Sequence, residues 1–156
     1  MRASGSPFAA RSSSHVSTRI QLRRSVTFRA YHRLAEPGAS EQANRERFGW
    51  TAEPHSHQYR CTVTVTAPLM ESQAMVTDLP ALDRLLATEV SDRFEGRHLD
   101  RDLAEFAAVP ATCEAIARAV YRRLVDRLPA PARLVSVRIA EDESLDAECL
   151  GDATTD

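Results

Sequence analysis

Residues 55–66 read HSHQYRCTVTVT, and the alternation of apolar and polar side chains in this stretch predicts a half-buried β-strand. Four side chains form its apolar face: Tyr59, Cys61, Val63 and Val65. Because side chains two residues apart on a strand point the same way, His55 and His57 continue this face towards the start of the strand. The stretch therefore predicts a strand that carries two histidines on its buried side.

A second alternating stretch precedes this strand along the chain. Its apolar positions are Ile20, Leu22, Val26, Phe28 and Ala30. The same parity continues to His32. Two strands of this length, each with one apolar face, predict an antiparallel sheet that is covered on that face. Residues 33–54 between them are polar and irregular, and a segment of this length inside a compact domain predicts a functional loop.

Two helices and two further strands follow. The first helix begins at Pro80 and has an apolar stripe of Leu82, Leu85, Leu86 and Val90. The second begins at its predicted N-cap, Thr112, and buries Ile116, Val120, Tyr121, Leu124 and Leu128. The apolar parity of the third strand runs through Val135, Val137 and Ile139 to Glu141, and a short fourth strand spans about 145–150. The order β-β-α-α-β-β predicts an α+β domain in which two helices cover one face of a four-stranded antiparallel sheet.

The composition fits one globular domain and excludes several function classes. The chain has 156 residues, of which 43% are hydrophobic, and its net charge is −2, which argues against a nucleic-acid partner. No apolar run reaches the roughly 18 residues that a membrane span needs, so we expect a soluble protein with no membrane partner. All 20 basic residues are arginine, which excludes Schiff-base lysine chemistry and a phosphate-loop lysine.

The cysteines and the chain ends suggest a cytoplasmic protein with one folded region. Cys61, Cys113 and Cys149 are widely spaced, so neither a disulfide framework nor a cysteine zinc site is indicated, and a reducing cytoplasm is expected. Residues 1–18, rich in serine and arginine, predict a disordered extension, although an organelle transit peptide has a similar composition. We expect the folded domain to span 19–151 and a short tail to follow at 152–156.

Three histidines on the predicted apolar faces suggest a metal site. The side chains of His55 and His57 start roughly 7 Å apart on one strand, so their imidazoles can converge on one ion. His32 lies on the matching face at the end of the neighbouring strand. Three neutral imidazoles are the ligand set of a catalytic zinc, which keeps a fourth position for water or substrate. A paired-histidine motif alone is more often structural than ligating, so both interpretations stand at this point.

The order of the motifs favours the metal interpretation. The chain carries FRAYH at 28–32, HSHQY at 55–59, MVTDL at 75–79, TCE at 112–114 and then Glu141. This series resembles the 6-pyruvoyl-tetrahydropterin synthase and 6-carboxytetrahydropterin synthase family over nearly the whole predicted domain. The resemblance implies the tunnelling fold, in which subunits join their sheets into a β-barrel ringed by helices. It also implies active sites at subunit interfaces and a homo-oligomer, a hexamer built as a dimer of trimers.

The resemblance assigns roles to residues of this chain. The three matches to the family's zinc ligands are His32, His55 and His57. Glu141 matches the carboxylate that grips the pterin through its 2-amino group and ring N–H. A carboxylate on an apolar face needs a partner, and an aminopyrimidinone edge offers two parallel donors. Thr112 and Glu114 are further substrate-binding candidates, although Glu114 equally suits a purely structural role at the positive end of the helix dipole.

Two departures from the family pattern concern proton transfer. Thr51 stands where the family has its catalytic Cys, and a hydroxyl is too weak an acid to serve unaided. Gly96 stands where the family has its catalytic His. We therefore predict a replacement base, with Glu53 first, because it lies two residues before His55 and shares its parity if the strand extends that far. His98 is the next candidate, and an exposed loop position is the alternative interpretation of both residues.

The expected function is a zinc-dependent lyase or cyclase that acts on a pterin-like or related small heterocycle with altered acid–base residues. One alternative is the standard dihydroneopterin-triphosphate elimination with another base. The other is a catalytically inactive protein that binds zinc and pterin. Fold and pocket do not fix chemistry, so the sequence leaves these three functions open.

Overall fold

A four-stranded antiparallel sheet forms the base of the molecule in the computed structural model, which describes residues 19–69, 72 and 74–151. The strands are β1 (Arg19–His32), β2 (His55–Pro68), β3 (Arg133–Ala140) and β4 (Asp146–Leu150), and they lie in the order β1-β2-β3-β4. The predicted α+β architecture is confirmed. The predicted extension at 1–18 and the tail at 152–156 lie outside the described residues.

The described part of the chain contains α1 (Glu41–Phe48), α2 (Leu79–Leu86), α3 (Asp92–Phe94), α4 (Leu99–Asp102) and α5 (Cys113–Leu124). The two predicted helices are α2 and α5. Thr112 caps α5 as predicted, because its hydroxyl accepts a hydrogen bond from the Ala115 N–H at 3.3 Å. Among the described helices, none has both the length and the apolar character of a membrane span.

The core lies between α2, α5 and one face of the sheet. The helices contribute the fully buried Leu82, Leu86, Ile116, Val120 and Leu124. The sheet contributes Phe28, Tyr59, Cys61, Val63, Val65, Val137 and Ile139, all with no exposed surface. Burial of each large apolar side chain contributes about 1.5–3 kcal/mol. The opposite face of the sheet carries arginine and threonine at the alternate positions, as the period-two pattern predicts.

The segment between β1 and β2 is more regular than predicted. It contains α1, which begins at the N-cap Ser40, whose hydroxyl accepts from the Ala43 N–H at 3.1 Å. The Asn44 side chain is buried and accepts from the Glu36 N–H at 2.8 Å. Because α1 presents almost no apolar residues, hydrophobic periodicity could not reveal it.

The predicted face of β3 is wrong at its start. The pairing of β2 with β3 shifts between Thr64 and Val65, and Leu134 therefore lies opposite Val65. Leu134 packs against the core at this end of the strand, whereas Val135 belongs to the irregular step in the ladder. An extra residue of this kind reverses the parity of a strand, and the sequence carries no signal for it.

Candidate active site

The register of β1 and β2 brings the three predicted metal ligands together. His32 lies opposite His55, and His57 lies opposite the buried Ala30, whose methyl side chain takes little space. One nitrogen from each of the three imidazoles falls within 4.8 Å of the other two. Among the residues that the structure describes, this is the one group of His, Cys, Asp or Glu side chains with such an arrangement.

Hydrogen bonds fix the imidazole tautomers at two of these histidines. The His32 Nδ1 lies 2.7 Å from the Ala111 carbonyl oxygen, and the His55 Nδ1 lies 2.8 Å from the Glu53 carbonyl oxygen. Because a carbonyl oxygen can only accept, both Nδ1 atoms carry a proton, and in the neutral imidazole the lone pair then lies on Nε2. A backbone carbonyl on the outer nitrogen is the usual support of a metal-binding histidine.

The inner nitrogens fit a metal ion. The Nε2 atoms of His32 and His57 are buried and have no hydrogen-bond partner among the described atoms. Buried polar atoms without partners are rare and costly, and a bound cation would satisfy both. Burial lowers the pKa of His32 to about 4, so its imidazole is neutral near pH 7, as metal ligation requires.

A cleft of about 370 Å³ opens over the three histidines. The remaining residues that line it are Leu34, Trp50, Thr51, Thr112, Cys113, Glu114, Glu141, Asp142 and Leu145. The three predicted substrate-binding residues, Thr112, Glu114 and Glu141, therefore border the same cleft as the predicted metal ligands.

Glu141 lies immediately after β3 and beside the histidines. Its Oε2 is 4.0 Å from the His57 Nε2, and the side chain is largely buried. The Glu141 N–H donates to the Leu145 carbonyl oxygen at 3.2 Å, and the Asp142 side chain accepts from the Leu145 N–H at 2.9 Å. The β3–β4 turn therefore holds the Glu141 backbone in place while its carboxylate reaches the cleft.

Cys113 lies closer to this carboxylate than the sequence indicated. Its thiol donates to the Glu141 Oε2 across 3.6 Å. Burial and the neighbouring Glu141 raise the pKa of Cys113 to about 12, so the thiol stays protonated. The same surroundings raise the pKa of Tyr59, whose hydroxyl is buried without a partner among the described atoms. No local sequence pattern indicates this contact, because a residue at a helix start shows no clear periodicity.

The two predicted bases do not line the cleft of their own chain. β2 begins at His55, so the parity that favoured Glu53 does not extend that far. The Glu53 carboxylate is 60% exposed and forms an ion pair with Arg45 at 3.4 Å. The His98 ring stacks on Tyr31 with 4.7 Å between ring centroids, and Tyr31 alternates with the metal-site face of β1.

The two positions at which the chain departs from the family pattern are Thr51, which lines the cleft, and Gly96, which does not. The Thr51 hydroxyl donates to the Phe48 carbonyl oxygen at 2.7 Å. The Gly96 N–H donates to the Arg29 carbonyl oxygen at 2.7 Å, and this bond places residue 96 on the outer edge of β1. Gly96 has a φ of 69°, in the left-handed region that a glycine adopts without strain.

Comparison with known proteins decides the family. The family model described as 6-pyruvoyl tetrahydropterin synthase matches residues 21–152. The chain belongs to this family. Family membership supports a lyase of the pterin synthase type, and it confirms the resemblance seen in the motifs.

Individual relatives cover most of the chain. The 6-pyruvoyl tetrahydrobiopterin synthase of Drosophila melanogaster is 33% identical over 122 residues, which are 77% of this chain and 73% of that protein. The human protein of the same name is 29% identical over 126 residues, or 80% of this chain and 86% of that protein. Both alignments extend over most of the region that the family model matches.

Solved structures share the fold. The Caenorhabditis elegans 6-pyruvoyl tetrahydropterin synthase superposes with a TM-score of 0.79 at 26% identity, covering 86% of this chain and 97% of that one. An uncharacterised protein from Wolinella succinogenes superposes with a TM-score of 0.66 at 17% identity, over 87% of this chain and all of that one, which shows the fold alone.

Proposed function

We propose that this protein is a zinc-dependent lyase or cyclase that acts on a pterin or a related heterocycle in the cleft above His32, His55 and His57. The observation that carries the proposal is the pair of buried, unpartnered Nε2 atoms beside the largely buried Glu141 carboxylate. Imidazole ligands suit zinc better than magnesium or calcium. The relatives are named as pterin synthases, which supports a pterin-like ring.

Different residues of the cleft bind the metal ion and the heterocycle. Zinc, when bound, acts as a Lewis acid that lowers the pKa of a hydroxyl or of an adjacent C–H. His32, His55 and His57 hold the ion. Glu141 accepts two N–H donors from the edge of the heterocycle, an arrangement that favours an aminopyrimidinone. Thr112 and Glu114 border the same ring pocket at the start of α5.

Two measurements separate this function from its alternatives. The zinc-loaded protein is incubated with dihydroneopterin triphosphate, and the binding of neopterin is measured in parallel. Rapid turnover favours the standard elimination, whereas neopterin binding without turnover of this compound or of other pterins favours an inactive binding protein. The sequence gives some support to the inactive binding protein, because Thr51 and Gly96 stand at the two positions where the family has its proton-transfer side chains. Failure to bind any pterin or related heterocycle would overturn all three.

We further propose Glu53 as the replacement base. Its exposed ion pair with Arg45 holds it weakly, since such pairs contribute about 1 kcal/mol or less, and its backbone carbonyl lies 2.8 Å from the His55 Nδ1. We expect Glu53→Gln to reduce turnover by roughly 100-fold while zinc content stays unchanged. Arg45→Ala is the matched control and is expected to keep turnover. Full activity of Glu53→Gln would leave His98, acting in the cleft of a neighbouring subunit.

Assembly into a homo-oligomer, a hexamer of two trimers, is also proposed. Among the described residues, no strand pairs with the outer edge of β1, where Arg29 and Tyr31 contact the loop that contains His98. No strand of the described chain pairs with the outer edge of β4 either. Open strand edges are prone to pair with other chains, and closure of the sheets into a barrel would remove them. Sedimentation is expected to give a multiple of 17.3 kDa, and a monomer alone would contradict the barrel.

A further inference from the structure

A tryptophan stands exposed at the mouth of the cleft. Trp50 is 70% exposed and lies in the helical turn Gly49–Ala52 that leads into β2. Its indole centroid is 4.8 Å from that of His55, and the two rings are tilted by 58°. A single exposed aromatic residue is common on a protein surface, so its exposure alone carries no function.

A second exposed apolar side chain borders the same cleft from a different element. Leu145 is 49% exposed and lies in the β3–β4 turn. Its N–H and C=O both take part in the hydrogen bonds that fix Asp142 and Glu141. One turn therefore supplies an apolar side chain at the mouth and a carboxylate inside. Trp50 and Leu145 are two of the seven exposed large hydrophobic residues in the described part of the chain, and both border the proposed ligand site.

We propose that Trp50, with Leu145, forms an apolar wall that packs against the flat face of the heterocycle whose edge Glu141 binds. A carboxylate that grips a ring by its edge leaves both ring faces to be covered, and an indole presents the largest flat surface of any side chain. Trp50 is therefore a specificity-determining residue that favours a planar aromatic ring over a saturated one. This inference rests on the proposed function, because it assumes a flat ring in the cleft.

The chain contains one tryptophan, so intrinsic fluorescence reports on this position alone. The zinc-loaded full-length protein is titrated with neopterin, and quenching of Trp50 emission is expected on binding. Affinities of variants are then measured by calorimetry with the same probe. Trp50→Phe is expected to bind within a few-fold of the unaltered protein, and Trp50→Ala is expected to lose about 10-fold or more. Val125→Ala, another exposed apolar side chain outside the cleft, is the matched control and keeps full affinity.

The outcomes separate this inference from the function beneath it. Unchanged neopterin affinity in Trp50→Ala overturns the wall and leaves the pterin assignment intact. Altered sedimentation of Trp50→Ala with unchanged neopterin affinity assigns the indole to a contact between subunits alone and also overturns the wall. Absence of neopterin binding to the unaltered protein contradicts the pterin assignment beneath the inference, and overturns the wall with it. Zinc content is measured in every variant and is expected to stay constant, because Trp50 supplies no ligand.

Discussion

Replacing His57 with alanine is expected to reduce the zinc content of the purified protein from about one ion per chain to less than a tenth. The variant keeps only two imidazoles, whereas three protein ligands are the usual minimum of a catalytic zinc site. Loss of a supporting residue already costs 10- to 100-fold in metal affinity, and loss of a ligand costs more. Metal analysis of protein purified without added metal measures the change.

The chain offers a matched control for this substitution. His98→Ala removes a histidine that stacks on Tyr31 outside the cluster, so its zinc content is expected to equal that of the unaltered protein. Circular dichroism of both variants checks that the sheet is intact. Equal zinc in His57→Ala and His98→Ala would contradict the assignment of the three histidines as ligands.

Replacing Glu141 with glutamine is expected to lower kcat/KM for the substrate by about a thousand-fold. The change keeps the shape of the side chain but removes the charge that strengthens both hydrogen bonds to the ring edge. It also places an NH₂ group against a ring donor, which leaves a buried donor without a partner. Neopterin affinity is expected to fall with kcat/KM, and zinc content is expected to stay the same, because Glu141 is not among the three ligands.

Glu143→Gln is the control for Glu141→Gln. Glu143 lies two residues away in the same turn, is exposed and does not line the cleft, so activity and neopterin affinity are expected to stay unchanged. If Glu141→Gln binds neopterin as tightly as the unaltered protein, recognition of the ring edge belongs to another acid, and Glu114 becomes the first candidate.

The sheet and the histidine cluster were predictable because strand alternation is a geometric rule. Period-two patterns in β1 and β2 place His32, His55 and His57 on one face, and antiparallel pairing then needs only the register to bring them together. The rule fails wherever its geometry is interrupted. It placed Val135 on the core face although the ladder shifts there, and the parity argument for Glu53 required β2 to begin two residues before its actual start at His55.

The rest of the cleft depends on contacts that no local pattern contains. Trp50 lies in the segment between β1 and β2, and Leu145 lies in the β3–β4 turn. Folding of the sheet brings these two distant segments to the opening of the same cleft. The Cys113 thiol faces Glu141 because α5 begins beside the end of β3, and helix propensity says nothing about that contact. Helix α1 was not predicted for a different reason, since a short polar helix depends on caps such as Ser40 rather than on an apolar stripe.

The hydrogen bond from His32 to the Ala111 carbonyl has a mechanical consequence. His32 ends β1, His55 begins β2, and Ala111 immediately precedes the N-cap of α5. An ion held by these histidines would link the two ends of the segment between β1 and β2, which contains α1. The hydrogen bond from His32 to Ala111 would connect the same ion to the start of α5. Such an ion binds the folded chain far more tightly than the unfolded one, so its binding free energy adds to the free energy of unfolding. The metal ion would then stabilise the fold in addition to its proposed role in catalysis, and resistance to heat and proteases would rise with the free zinc concentration.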